Sequence, residues 1–161
     1  MFNGFGYPSR DLMFVYGSLK QGYWNNSVLG DSKFLGEFIT AKGGHMVDVG
    51  FPYLVFGDEI PISPWEFPTH DSIAPYRSHC AKGELFYVPD SEIKLRLDRL
   101  EGQGSHYKRR NIVVSSCDLM GYDNDVEATV YTPVDSISVL TNRAASKEEY
   151  KHRTVWNWKG K

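Results

Sequence analysis

Leu12-Met13-Phe14-Val15-Tyr16-Gly17-Ser18-Leu19 is the stretch from which the fold is read. Its first five residues are apolar or aromatic and the run stops at a glycine. Such a run is short for a helix and suits a buried strand. At Gly17 the chain turns, and a residue without Cβ lets exposed N–H groups come close to a carboxylate or an oxyanion.

Outward from this strand the chain reads as further short β segments with little helix. Lys20 to Gly30 is polar and then apolar, with Asn25, Asn26 and Ser27 as candidate N-caps of a short helix. Phe34 to Thr40, Gly44 to Val49 and Tyr53 to Phe56 are separated by glycine and proline turn signals and predict a β-meander. Gly57 to Ala81 carries four prolines without periodicity and reads as a long surface excursion. Gly83 to Val88 is another strand, closed by Pro89.

Asp90 or Ser91 then caps the clearest helix of the sequence, in which Ile93, Leu97 and Leu100 recur at i, i+4 and i+7 with Arg96 and Arg99 opposite. Gly102 is placed to end it, which sets Glu101 in the last turn. Tyr107 to Ser116 and the alternating Val126 to Thr132 predict two more strands, and Ser146 onward a short helix followed by a tail. The fold class expected is α+β, mainly β, with a small mixed or antiparallel barrel-like sheet and a few short helices.

The whole chain has 161 residues, 41% hydrophobic and 24% charged, which suits one compact core and excludes a disordered chain. A net charge of -2 provides no field that would draw the protein to nucleic acid or to an anionic membrane. Basic and aromatic residues do interleave from Lys147 to Lys161, but Glu148 and Glu149 interrupt them, so a docked or solvated segment is expected there. Met1 to Leu12 has no long apolar run, so neither a signal peptide nor a membrane span is expected and a cytoplasmic location is. Cys80 and Cys117 read as reduced thiols. His70, His79 and Cys80 lack zinc-type spacing, and His45, His106 and His152 are scattered, so no metal site is expected.

Glu101 draws notice because a carboxylate in the last turn of a helix faces the negative end of the macrodipole, which local stability does not favour. Burial beside aromatic residues would raise its pKa toward neutrality, as a general base needs. Ser18 is a weak nucleophile candidate: no Gly-x-Ser-x-Gly elbow surrounds it and no histidine is placed to activate it.

These pieces together resemble a known family. Phe14-Val15-Tyr16-Gly17-Ser18-Leu19-Lys20-Gln21-Gly22, followed by Asn25 and Asn26, is similar to the opening of the γ-glutamylcyclotransferase-like proteins, which include γ-glutamylamine cyclotransferases and AIG2-like proteins. Gly83-Glu84-Leu85-Phe86, Leu97-Asp98-Arg99-Leu100-Glu101-Gly102, Tyr107-Lys108-Arg109 and Ala128-Thr129-Val130-Tyr131 follow in the family's order. The resemblance covers Leu12 to Thr132 and sets a catalytic domain of residues 1–134, with the long loop 57–81, apart from a C-terminal extension of residues 135–161. It implies a γ-glutamylcyclotransferase-like fold and a small-molecule γ-glutamyl amide as partner, cyclised to 5-oxoproline with release of an amine and with no cofactor. Glu101 would be the acid/base, Tyr16, Gly17, Ser18 and Leu19 would line the γ-glutamyl pocket through backbone groups, and Tyr107 and Tyr131 would wall it. A domain that bound the same ligand without turning it over would have a similar cavity, and only product formation separates the two. The group attached to the γ-glutamyl unit and the oligomeric state stay open.

Overall fold

The computed structural model describes residues 6–41, 45–48, 52–56, 80–101, 107–116, 125–133, 147–150 and 153–156. Nine strands and one α-helix are described: β1 Leu12–Val15, β2 Lys33–Thr40, β3 His45–Asp48, β4 Pro52–Val55, β5 Cys80–Tyr87, α1 Ser91–Glu101, β6 Tyr107–Ser116, β7 Asp125–Pro133, β8 Lys147–Tyr150 and β9 Arg153–Trp156. Short 3-10 turns precede and follow β1, at Ser9–Asp11 and Asn26–Leu29. The excursion over 57–79, Gly102, Cys117 and the link 121–124 lie outside the described residues.

Five strands close into a barrel. β1 pairs antiparallel with β5, from Leu12↔Tyr87 to Val15↔Glu84, and parallel with β7 at Met13↔Thr129. The ring continues antiparallel from β7 to β6, from β6 to β2 and from β2 back to β5. A bulge falls between Phe34 and Gly36, and Gly36 has φ 124°, a conformation that side-chain-bearing residues avoid. All four residues of β1 are buried because the strand is covered twice. Leu12, Phe14 and Tyr16 join Phe38, Leu85, Val114, Ala128 and Val130 inside the barrel. Met13 and Val15 point outward beneath Leu97 of α1, with Leu29, Phe86 and Val88. A continuous apolar run is what such a doubly covered strand requires.

α1 starts as expected: the Asp90 carboxylate accepts the N–H of Glu92 at 2.8 Å and of Ile93 at 3.4 Å. Near its start Lys94 pairs with Asp11, just before β1. Three expectations are corrected. Cys80 and Ala81, expected in the excursion over 57–81, already belong to β5 and are fully buried. β2 does not continue into a meander; β3 and β4 form a separate two-stranded sheet whose Met46 and Leu54 pack on the barrel core. The segment from Ser146 is no helix: β8 and β9 form a hairpin, Lys147↔Trp156 to Tyr150↔Arg153, and β9 adds parallel to β5 at Cys80↔Val155 and Ala81↔Trp156. Lys and Glu favour a helix, but intrinsic propensity is small beside strand pairing, and the pairing of Val155 and Trp156 with β5 overrides it.

Barrel closure depends on a close approach of β5 to β1. A Cβ built on Gly83 would stand 2.3 Å from the Val15 carbonyl oxygen and 2.7 Å from the Phe14 ring. The backbone oxygen cannot swing aside, so Gly83→Ala is expected to push the strands apart and cost about 1–3 kcal/mol. A lower urea midpoint at unchanged slope checks this, and a wild-type midpoint would refute it.

Candidate functional site

Parallel pairing brings the C-terminal ends of β1 and β7 to the same end of the barrel, and the site is built there. Past β1 the chain folds into a turn whose carbonyls are occupied. Gly17 accepts from Lys20 N–H at 3.0 Å and Ser18 from Asn25 N–H at 3.1 Å. The Asn25 amide donates to Ser18 Oγ and the Asn26 amide to the Leu19 carbonyl, both at 2.8 Å. These asparagines, expected as helix caps, instead tie the turn: Asn25 has backbone angles in the helical region and caps nothing with its side chain. Among the described residues no acceptor meets the N–H groups of Gly17, Ser18 or Leu19.

The far end of the turn is held by Glu84 of β5, whose Oε1 accepts the Gln21 N–H at 2.7 Å. Burial raises the Glu84 pKa, against the lowering effects of that N–H and of Lys20. Lys20 is buried and also stands over the Tyr23 ring, 5.2 Å from its centroid.

On α1 the inward face differs from the apolar stripe in the sequence. Leu97 is fully buried, Ile93 packs against the same cluster and Leu100 is 42% exposed. At roughly 100° per residue, Glu101 lies about 40° from Leu97 around the axis, and Leu100 about 60° to the other side. The face centred between Leu97 and Glu101 is the one that docks, so the carboxylate takes the half-buried place that Leu100 was expected to fill. Burial alone pushes the Glu101 pKa up from 4.5 to about 7.

The next residue of that face is Asp98, to which the sequence reading assigned no role. Its Oδ1 accepts the Tyr131 hydroxyl at 2.5 Å and lies 3.5 Å from Arg109 Nε. A phenol donating to a carboxylate is a charge-assisted bond, worth about 1.5–3 kcal/mol. Burial, and then Asp98, push the Tyr131 pKa far above its ordinary value; Glu101 acts in the same direction and Arg109 against it. The phenol stays a neutral donor. At its other end Tyr131 accepts the Tyr16 hydroxyl on its backbone carbonyl at 2.6 Å.

Every candidate residue therefore has a place. Leu19, Tyr107 and Tyr131 share one buried cluster with Leu97, Tyr16 is buried at the barrel end, and Gly17 and Ser18 form the turn above it. Asp98 and Glu84 were missed as contributors, although both stand inside the quoted motifs. The i, i+3 spacing of Asp98 and Glu101 was the available signal. Among the described residues no group of three His, Cys, Asp or Glu side chains could hold a metal ion, and no helix is long and apolar enough to cross a membrane.

Because folding raises the Glu101 pKa, the fold favours the protonated acid. The stability this group contributes is complete below about pH 4.5 and is lost as pH rises through about 7. Glu101→Gln cannot ionise and loses none. Its stability advantage over wild type should grow by roughly 2–3 kcal/mol between about pH 5 and about pH 8. Urea melts at both pH values check this, and a pH-independent difference would mean that Glu101 is solvated.

Comparison with known proteins bears on the family and the fold. Residues 13–152 match the family described as gamma-glutamyl cyclotransferase, AIG2-like. A Methanocaldococcus jannaschii protein, named as a candidate gamma-glutamylcyclotransferase, is 28% identical over 139 residues, 86% of this chain and 97% of its own. The gamma-glutamylaminecyclotransferase of Rattus norvegicus is 30% identical over 102 residues, 63% of this chain and 62% of its own. The crystal structure of an AIG2-like protein from Mus musculus superposes with a TM-score of 0.65 at 24% identity, over 88% of this chain and 90% of that one, a likeness of fold. With the family match spanning most of the sequence, from β1 through the first strand of the last hairpin, the chain belongs to the gamma-glutamyl cyclotransferase, AIG2-like family.

Proposed function

We propose that this protein cyclises a γ-glutamyl amide to 5-oxoproline and releases the attached amine, with Glu101 as general acid/base. The observation that carries the reading is the placement of Glu101: a carboxylate turned inward at the end of α1, with its pKa raised by burial to about 7. A group poised near neutrality can both take and return a proton. Family membership supports cyclotransferase chemistry at the level of the family.

In this mechanism the α-amino nitrogen of the substrate attacks its own γ-carbonyl carbon. Glu101 accepts a proton from the substrate ammonium, the freed amine forms the C–N bond that closes the five-membered ring, and the original amide C–N bond breaks as Glu101 returns its proton to the departing nitrogen; the second proton shed by the ring nitrogen goes with the amine, which leaves in its ammonium form. No protein nucleophile is required, so catalysis comes from holding amine and carbonyl in contact and from relaying protons between the two nitrogens. The N–H groups of Gly17, Ser18 and Leu19 are available to hold the α-carboxylate or the developing oxyanion. The rings of Tyr16, Tyr107 and Tyr131 would wall the pocket against water.

Purified protein incubated with a panel of γ-glutamyl amides is expected to release 5-oxoproline from at least one of them. kcat/KM should rise with pH through about 7 as Glu101 ionises. Glu101→Gln should fold and lose turnover by about three orders of magnitude or more, in line with removal of an acid/base group. Wild-type rates in that variant would remove Glu101 from the mechanism. Tight ligand binding without product would make the protein a binder.

A further inference from the structure

We infer that Asp98 is a positioning residue, which fastens the last turn of α1 to β7 and β6 so that Glu101 is held against the barrel end. This deepens the reading of Glu101 as the acid/base and rests on it. Among the described residues little else keeps the last turn of α1 docked. Arg99 and Leu100 are exposed, and Leu97 is the last fully buried side chain of the helix. A carboxylate at a helix C-terminus also works against the macrodipole, and helix ends fray readily.

Asp98 supplies the missing hold. It stands one helical turn before Glu101 on the same face, and its Oδ1 takes the Tyr131 hydroxyl at 2.5 Å with Arg109 Nε at 3.5 Å. Two strands therefore grip the helix one turn before the acid. Since the Tyr131 carbonyl accepts the Tyr16 hydroxyl, the same residue that anchors α1 also anchors the end of β1, from which the Gly17 turn springs. Asp98, Tyr131 and Tyr16 form a continuous hydrogen-bonded line from the helix that carries the acid to the turn that would hold the substrate.

A second consequence concerns Tyr131. Its phenolic proton is committed to Asp98, so its contact with substrate is through the ring, and the hydroxyl serves the scaffold. The charged and titratable groups around this contact are Asp98 and Glu101 on α1, Arg109 on β6 and Tyr131 itself on β7.

The test compares Asp98→Ala, Asp98→Asn and Tyr131→Phe with wild type by two independent readouts. The first is a carbon-13 NMR titration of the Glu101 carboxyl, assigned by its absence in Glu101→Gln. Wild type should titrate near 7. Asp98→Ala and Tyr131→Phe, which cut the same bond from opposite sides, should let the helix end swing into water and lower that midpoint by about one unit or more. Asp98→Asn keeps an acceptor for the Tyr131 hydroxyl and should leave the midpoint near the wild-type value. The second readout is steady-state kinetics on whichever γ-glutamyl amide wild type turns over. Asp98→Ala should lower kcat about tenfold or more with KM changed less than about threefold, and Asp98→Asn should restore most of kcat.

An unmoved midpoint in both Asp98→Ala and Tyr131→Phe would overturn the inference, as would an Asp98→Asn variant as defective as Asp98→Ala. If Asp98→Ala fails to fold, the contrast between Asp98→Asn and Tyr131→Phe decides the matter alone. The titration needs no turnover, so a wild-type protein inactive on every amide would sink the cyclotransferase reading while the midpoints still decide whether Asp98 positions Glu101.

Discussion

Tyr131 is bonded at both ends, and the arrangement of the candidate site follows from that. Through its hydroxyl it holds α1 by Asp98, and through its carbonyl it receives Tyr16 from the end of β1. Parallel pairing between β1 and β7 makes this possible, because only parallel neighbours deliver both C-terminal ends to one rim. Closure of the barrel fixes the rim, α1 covers the outer face beside it, and the glycine turn projects from it. A different pairing of β1 would separate these three parts.

The site is assembled at some expense to stability. Glu101 gives up hydration to stand in a half-buried place at the unfavourable end of its helix, and its raised pKa measures that loss. Nearby, Glu37 and Glu84 are direct cross-strand partners of like charge, an arrangement that repels. Lys82 lies 3.2 Å from Glu37, and the Gln21 N–H meets Glu84, so each carboxylate has a compensating neighbour. Conflicts between local rule and observed structure gather around the turn and the helix end, as expected where function constrains sequence.

What the sequence made legible follows the same division. β1 was readable because burial on both faces needs an unbroken apolar run, and α1 because Asp90 caps it and its pattern has helical spacing. A barrel-like sheet was expected, but the order in which the strands close the ring was beyond a single sequence, since strand partners are chosen by contacts distant along the chain. The apolar stripe misled at Leu100, whose exposure is the counterpart of an inward Glu101. The i, i+3 spacing set Asp98 on the face of Glu101, but its bond to Tyr131, 33 positions further on, had no local mark. The terminal hairpin was misread for a similar reason: its strand character comes from β5, about seventy residues earlier.

Barrel closure also governs how the chain reaches its fold. β1 is synthesised well before β7, and the Tyr16 hydroxyl at its end bonds the Tyr131 carbonyl across 115 positions. Until β7 exists, β1 can rest on β5 but cannot complete a ring, and its doubly apolar run stays partly uncovered. High contact order of this kind slows folding into the millisecond-to-second range and favours completion after synthesis rather than during it. The growing chain must keep Leu12 to Val15 out of mispairings while it waits, so the strand that is most fully covered in the finished fold is the one most open to wrong partners before it.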